Sequence, residues 1–93
     1  MAPEKNTNKM VDELYEVLSS IDNADDMRLL LTDLCTNNEI EQMAQRLIAA
    51  KLLLSGKTYS QVIEETDISS ATLSRISRCV QYGKGYTTVL NEK

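Results

Sequence analysis

Residues 70 to 78 read SATLSRISR, in which Ser70, Thr72 and Ser74 offer small hydroxyls and Arg75 and Arg78 offer planar guanidinium groups. Short hydroxyl side chains donate and accept hydrogen bonds at base edges, and guanidinium forks match phosphate oxygens. The chemistry legible here is therefore recognition of a polyanion that carries readable edges. Catalysis has far less to draw on. The chain has no histidine, no phosphate-cradling glycine loop and no nucleophile beside a base, so an enzyme is not expected. Cys35 and Cys79 stand 44 positions apart, match no metal-ligand or redox spacing, and are expected as reduced, mostly buried thiols.

Those side chains need an element to aim them, and the stretch TYSQVIEETDISSATLSRISRCV, from Thr58 to Val80, supplies one. Two short helical patterns join through Thr66-Asp67-Ile68-Ser69, which is the grammar of a helix-turn-helix. Thr58 with Gln61 three residues later forms a reciprocal N-cap, and Ser69 caps the second helix in the same way. Asp67 occupies the turn position that commonly needs a left-handed backbone, which Asp tolerates better than most residues. Val62, Ile63, Ile68, Leu73, Ile76 and Val80 provide the apolar face that locks the two helices together. At about 100° per residue, Ala71, Arg75, Arg78 and Tyr82 fall on the opposite side, flanked by Ser74.

The rest of the chain reads as scaffold. With 93 residues, one Pro, three Gly, no Trp and no Phe, the expected class is all-α, with about six short helices in a single small domain. Residues 1–8 are expected as a flexible arm, 9–56 as a helical dimerisation scaffold, 57–82 as the helix-turn-helix and 83–93 as a tail or short last helix. Val11, Leu14, Tyr15, Leu18 and Ile21 recur at helical spacing. Asp22-Asn23 breaks the chain and caps a second helix whose Met27, Leu30, Leu31 and Leu34 form a stripe while Leu29 points elsewhere. A helix apolar on two sides needs covering from two sides, which predicts sharing between subunits. Thr36 to Glu39 forms another capping box, opening a long helix that closes at Ser55-Gly56.

The formal charge of −4 conceals a division. Residues 1–45 carry three basic and ten acidic side chains, net −7, whereas residues 46–93 carry seven basic and four acidic, net +3. Phosphate affinity depends on the local patch, so an acidic half and a nucleic-acid-binding half coexist in one chain. No apolar run approaches the length of a membrane span, and the opening MAPEKNTNK lacks a signal-peptide core, so a cytoplasmic protein without a membrane partner is expected.

The order of elements, with the run LLTDLCTNNEIEQMAQRLIAAKLLLSGKTYSQVIEETDISSATLSRI, resembles the tryptophan repressor family, most closely its branch of shorter YerC-type regulators. The resemblance implies an intertwined all-helical homodimer presenting two reading heads to a palindromic operator. It also implies an effector pocket, carried over position by position. Arg46 matches the arginine over one face of the bound indole, Thr36 the threonine near the ligand's amino end, and Arg75 the arginine of the opposite wall. Two positions depart. Ile76 stands where the repressor has Gly, and Cys79 where it has a Ser that helps hold the ligand. A branched side chain in a slot built for none overpacks it by about 1–3 kcal/mol, which argues against tryptophan as corepressor. No cofactor is implied, and a small-molecule effector of another kind stays open. Glu64 stands at or near a position where the repressor has a phosphate-binding Lys.

The expectation is a sequence-specific DNA-binding transcriptional regulator, a repressor acting on double-stranded DNA as a homodimer. Ser70, Ala71, Thr72 and Ser74 would meet base edges or nearby phosphates, while Lys57, Ser60, Gln61, Arg75 and Arg78 would grip the backbone. The alternative is a helical protein-protein docking module in a transcription or replication assembly, favoured by the thinness of the positive patch and opposed by the Ser/Thr-rich face.

Overall fold

The computed structural model describes residues 6–90, which form six α-helices: α1 (Thr7–Ser20), α2 (Ala24–Leu34), α3 (Asn37–Leu54), α4 (Tyr59–Thr66), α5 (Ser70–Tyr82) and α6 (Gly85–Leu90). Among the described residues there is no strand. The chain divides into two compact units, the first ending at Thr36 and the second beginning at Asn37.

In the first unit α1 begins at Thr7, two residues before the expected start of the scaffold at residue 9, because the Asn6 side chain accepts a hydrogen bond from Lys9 N at 3.0 Å. Residues 7 and 8 are thus helical rather than part of an arm, and residues 1–5 lie outside the described residues. Asn23 caps α2 by accepting from Asp26 N at 2.7 Å, and Asp25 and Asp26 lie at the positive end of that helix. Neither α1 nor α2 buries a single residue. Met10, Val11, Leu14, Tyr15, Val17, Leu29 and Leu34 are all exposed, Leu29 at 69%.

The second unit carries the core. Ala49 and Ala50 of α3, Val62 of α4, Ile68 of the turn, and Leu73 and Ile76 of α5 are buried together, with Leu52, Leu53, Ile63, Val80, Tyr86 and Leu90 packed around them. The two alanines explain why α3 serves as the floor. Side chains of one carbon let α4 and α5 approach its backbone closely, and α3 packs against α4, α5 and α6. Of the leucines that follow, Leu52 and Leu53 are half-buried and Leu54 is exposed. Gly56, at φ 95°, ends the helix: its N–H donates to Leu53 O and that of Lys57 to Leu52 O, both at 3.0 Å. At the far end of α5, a Cβ on Gly83 would meet Cys79 O at 2.7 Å, so only glycine fits there without a shift.

Both cysteines are free thiols, but Cys79 is exposed and Cys35 only half-buried, contrary to the buried placement expected of them. On the α5 wheel Cys79 lies about 90° from the centre of the Leu73–Ile76–Val80 face, at its edge rather than within it.

The turn between α4 and α5 follows its local chemistry. Asp67 adopts φ 61°, ψ 23°, and its N–H donates to Ile63 O at 2.8 Å. A left-handed backbone costs an ordinary L-residue about 1–2 kcal/mol. Asp67→Val therefore lowers the unfolding free energy by about 1–2 kcal/mol in a urea titration, since a β-branched side chain tolerates this region worst. Asp67→Gly remains within about 0.5 kcal/mol of the parent. Equal behaviour of the two variants would remove the backbone argument.

Candidate nucleic-acid interface

The helix-turn-helix is capped as its residues require. Thr58 Oγ1 accepts from Gln61 N at 3.2 Å while Gln61 Oε1 accepts from Thr58 N at 2.9 Å, the reciprocal box expected at the start of α4. Ser69 caps α5, its Oγ accepting from Thr72 N at 3.2 Å and donating to Thr72 Oγ1 at 2.9 Å. Together with the core these caps fix where α5 starts and which side of it faces outward.

The outward side is the one read from the helical wheel. Ser70, Ala71, Ser74, Arg75, Arg78 and Tyr82 are exposed on α5, and Lys57, Ser60 and Gln61 are exposed at the start of α4. Tyr82, 80% exposed, extends the same face beyond Arg78. Thr72 differs from its neighbours. It is half-buried, and its hydroxyl is engaged by the Ser69 cap. Glu64 and Glu65 are exposed on α4 and dilute the positive patch. Arg46, Arg75 and Arg78 form no ion pair among the described residues, where the observed pair is Arg28 with Asp25 at 3.1 Å.

Between α3 and α5 lies a cleft of about 350 Å³ lined by Arg46, Thr72, Arg75, Ile76 and Cys79. Four of the five residues considered for an effector pocket thus share one hollow. Thr36 belongs to the other unit. Ile76 is 3% exposed and contributes to the hydrophobic core as well as to the cleft wall. The membership of Thr72 was not anticipated, although residues 72, 75, 76 and 79 follow the spacing that places side chains on one helical stripe. A second hollow of about 300 Å³ adjoins the cleft through Arg46 and Thr72 and is lined also by Gln42, Gln45, Asp67, Ile68 and Ser69. No group of His, Cys, Asp and Glu among the described residues could hold a metal ion. No helix among them is long and apolar enough to cross a membrane.

Comparison with known proteins agrees with this architecture. The family model described as Trp repressor protein matches residues 9–93. The chain is 40% identical over 83 residues to the uncharacterized protein YerC of Bacillus subtilis (strain 168), covering 89% of this chain and 80% of that protein. A crystal structure of a candidate Trp repressor from Staphylococcus aureus superposes with a TM-score of 0.83 at 34% identity, covering 95% of this chain and 93% of the other. A TrpR-like protein from Eubacterium eligens ATCC 27750 also gives 0.83, at 36% identity over 87% and 84% of the two chains. The chain belongs to the Trp repressor family, whose members are regulatory DNA-binding proteins and not enzymes.

Proposed function

We propose that this protein is a sequence-specific transcriptional regulator, a repressor that binds a palindromic operator as a homodimer in the cytoplasm. The observation that carries the reading is the exposed side of α5, where small and hydroxylated side chains lie beside two guanidinium groups that form no ion pair among the described residues, on a helix fixed by caps at its start. Ser70, Ala71 and Ser74 approach base edges. Arg75 and Arg78 grip phosphates, as do Lys57, Ser60 and the Nε2 amide of Gln61, whose Oε1 is held in the cap. Thr72 serves mainly to start the helix and line the cleft. The first unit supports dimerisation, because its two amphipathic helices leave Met10, Leu14, Leu29 and Leu34 among other large apolar side chains exposed. Two heads are also what affinity requires, since each carries few cations.

The cleft bears on regulation. Ile76 lines the cleft with Arg46 and Arg75 while belonging to the core, which argues against tryptophan as corepressor and for a head set for DNA without it.

Arg78→Ala tests the division between grip and readout. It weakens binding by a similar factor on all duplexes and flattens the salt dependence by about one phosphate per protomer. Ser74→Ala instead changes sequence preference. Both are read by fluorescence anisotropy across a salt series, and an unchanged affinity and slope for Arg78→Ala would remove its assignment.

The exposed Glu64 and Glu65 favour a second reading, a docking module within a transcription or replication assembly. Heparin retention separates the two. A DNA binder is retained at low salt and released as salt rises, whereas a docking module passes through.

A further inference from the structure

The tilt of α5 depends on more than its caps. The last carbonyls of a helix have no partner within it, and at the end of α4 one of them, Thr66 O, accepts a hydrogen bond from Gln45 Nε2 of α3 at 3.2 Å, from 21 positions away in the chain. Both residues are half-buried. Thr66 is itself held locally, its Oγ1 donating to Val62 O at 2.8 Å and accepting from Ile68 N at 3.3 Å. Ile68, 5% exposed, pins the next position into the core, and Ser69 then starts α5. The three-residue turn is therefore anchored to α3 through a directional bond, where apolar packing alone would leave sliding free.

Leverage makes such an anchor matter. At about 1.5 Å per residue, Arg78 lies about 12 Å along α5 from Ser70. A change of about 10° at the turn would move it by about 2 Å, beyond the range over which a hydrogen bond survives. We infer that Gln45 is a positioning residue for operator recognition: through Thr66 it holds the turn, and with it the angle at which α5 presents its side chains. This inference rests on the DNA-binding reading above.

Its consequence separates kinds of affinity. Binding to arbitrary DNA depends on charge and survives a loosely held head, whereas matching base edges does not. Gln45→Met keeps the length of the side chain and removes the donor. It is compared with the parent by anisotropy on a selected operator and on an unrelated duplex. Amide hydrogen exchange of residues 66–69 is followed in parallel without DNA.

The expected result is faster exchange in the turn, operator affinity about tenfold lower, and unchanged affinity and salt slope on the unrelated duplex. Circular dichroism reports whether the variant is folded. If Gln45→Met is not folded, Gln45→Glu, which sets a carboxylate against the Thr66 carbonyl, is read in the same way. Turn exchange equal to the parent's, or an equal loss on both duplexes, overturns the positioning role while leaving DNA binding intact. A parent protein that binds no duplex overturns both readings, and the absence of binding by the parent distinguishes that failure from the others.

Discussion

Leu73→Ala lowers the unfolding free energy by about 2–5 kcal/mol, the range for truncating a buried leucine in a core that cannot collapse around the loss. Leu73 is 0% exposed and, with Val62, is one of the largest side chains buried completely. It sits where α5 meets α3 and α4, and few other residues share the task, since the buried hydrophobic set comprises Ala49, Ala50, Val62, Ile68, Leu73 and Ile76. The two alanines have only a methyl group each, too short and rigid to fill a cavity. In a domain stabilised by about 5–15 kcal/mol, the loss consumes a large part of the margin. Leu73→Met, which nearly conserves volume, costs less than about 1.5 kcal/mol. Urea titrations followed by circular dichroism measure both. Comparable losses for the two variants would mean that the packing at this position is not what holds the helices together.

The second large effect lies in the first unit. A double substitution, Leu29→Asp with Leu34→Asp, is expected to convert the proposed dimer to a monomer at micromolar concentration in light scattering. Both residues are exposed in the protomer, at 69% and 53%, so the change costs the isolated chain little. In a dimer that covers them, each carboxylate would have to leave water without a partner, a penalty of several kcal/mol. Operator affinity then falls by about a hundredfold or more, because a single head neutralises few phosphates and loses the benefit of its tethered partner. A parent chain that already scatters as a monomer, or a variant that remains a dimer, would contradict the shared-scaffold reading.

The start of α4 was legible because Thr58 and Gln61 have the residue types and the spacing of a reciprocal cap, and the start of α5 because Ser69 precedes the apolar repeat. The turn was legible because Asp67 is one of the few residues other than glycine that accept a left-handed backbone. All of these are local interactions, decided within four residues.

The start of α1 was less legible. Asn6 caps it, but Lys9 occupies the position where a Glu or Gln would have completed a capping box, and no apolar periodicity reaches that far. The exposure of Cys79 and the half-burial of Thr72 were missed because both lie at the edge of the α5 packing face, where the wheel alone does not say whether a neighbour is present. The bond from Gln45 to Thr66 had no sequence signal at all. Its acceptor is a backbone carbonyl, which every residue possesses, and its donor is an ordinary glutamine on a long helix. The cleft formed by Arg46, Arg75, Ile76 and Cys79 was foreseen only through family resemblance, since nothing in their spacing along the chain joins α3 to α5.

On the proposed function, α5 reads DNA sequence as one of two symmetry-related heads. Selection of bound duplexes from a random pool by the purified protein tests it most directly. Enrichment of a palindrome, with half-sites about one helical turn apart, is expected without tryptophan or any other additive. Failure to enrich any sequence, with or without a mixture of amino acids and related metabolites, would contradict it.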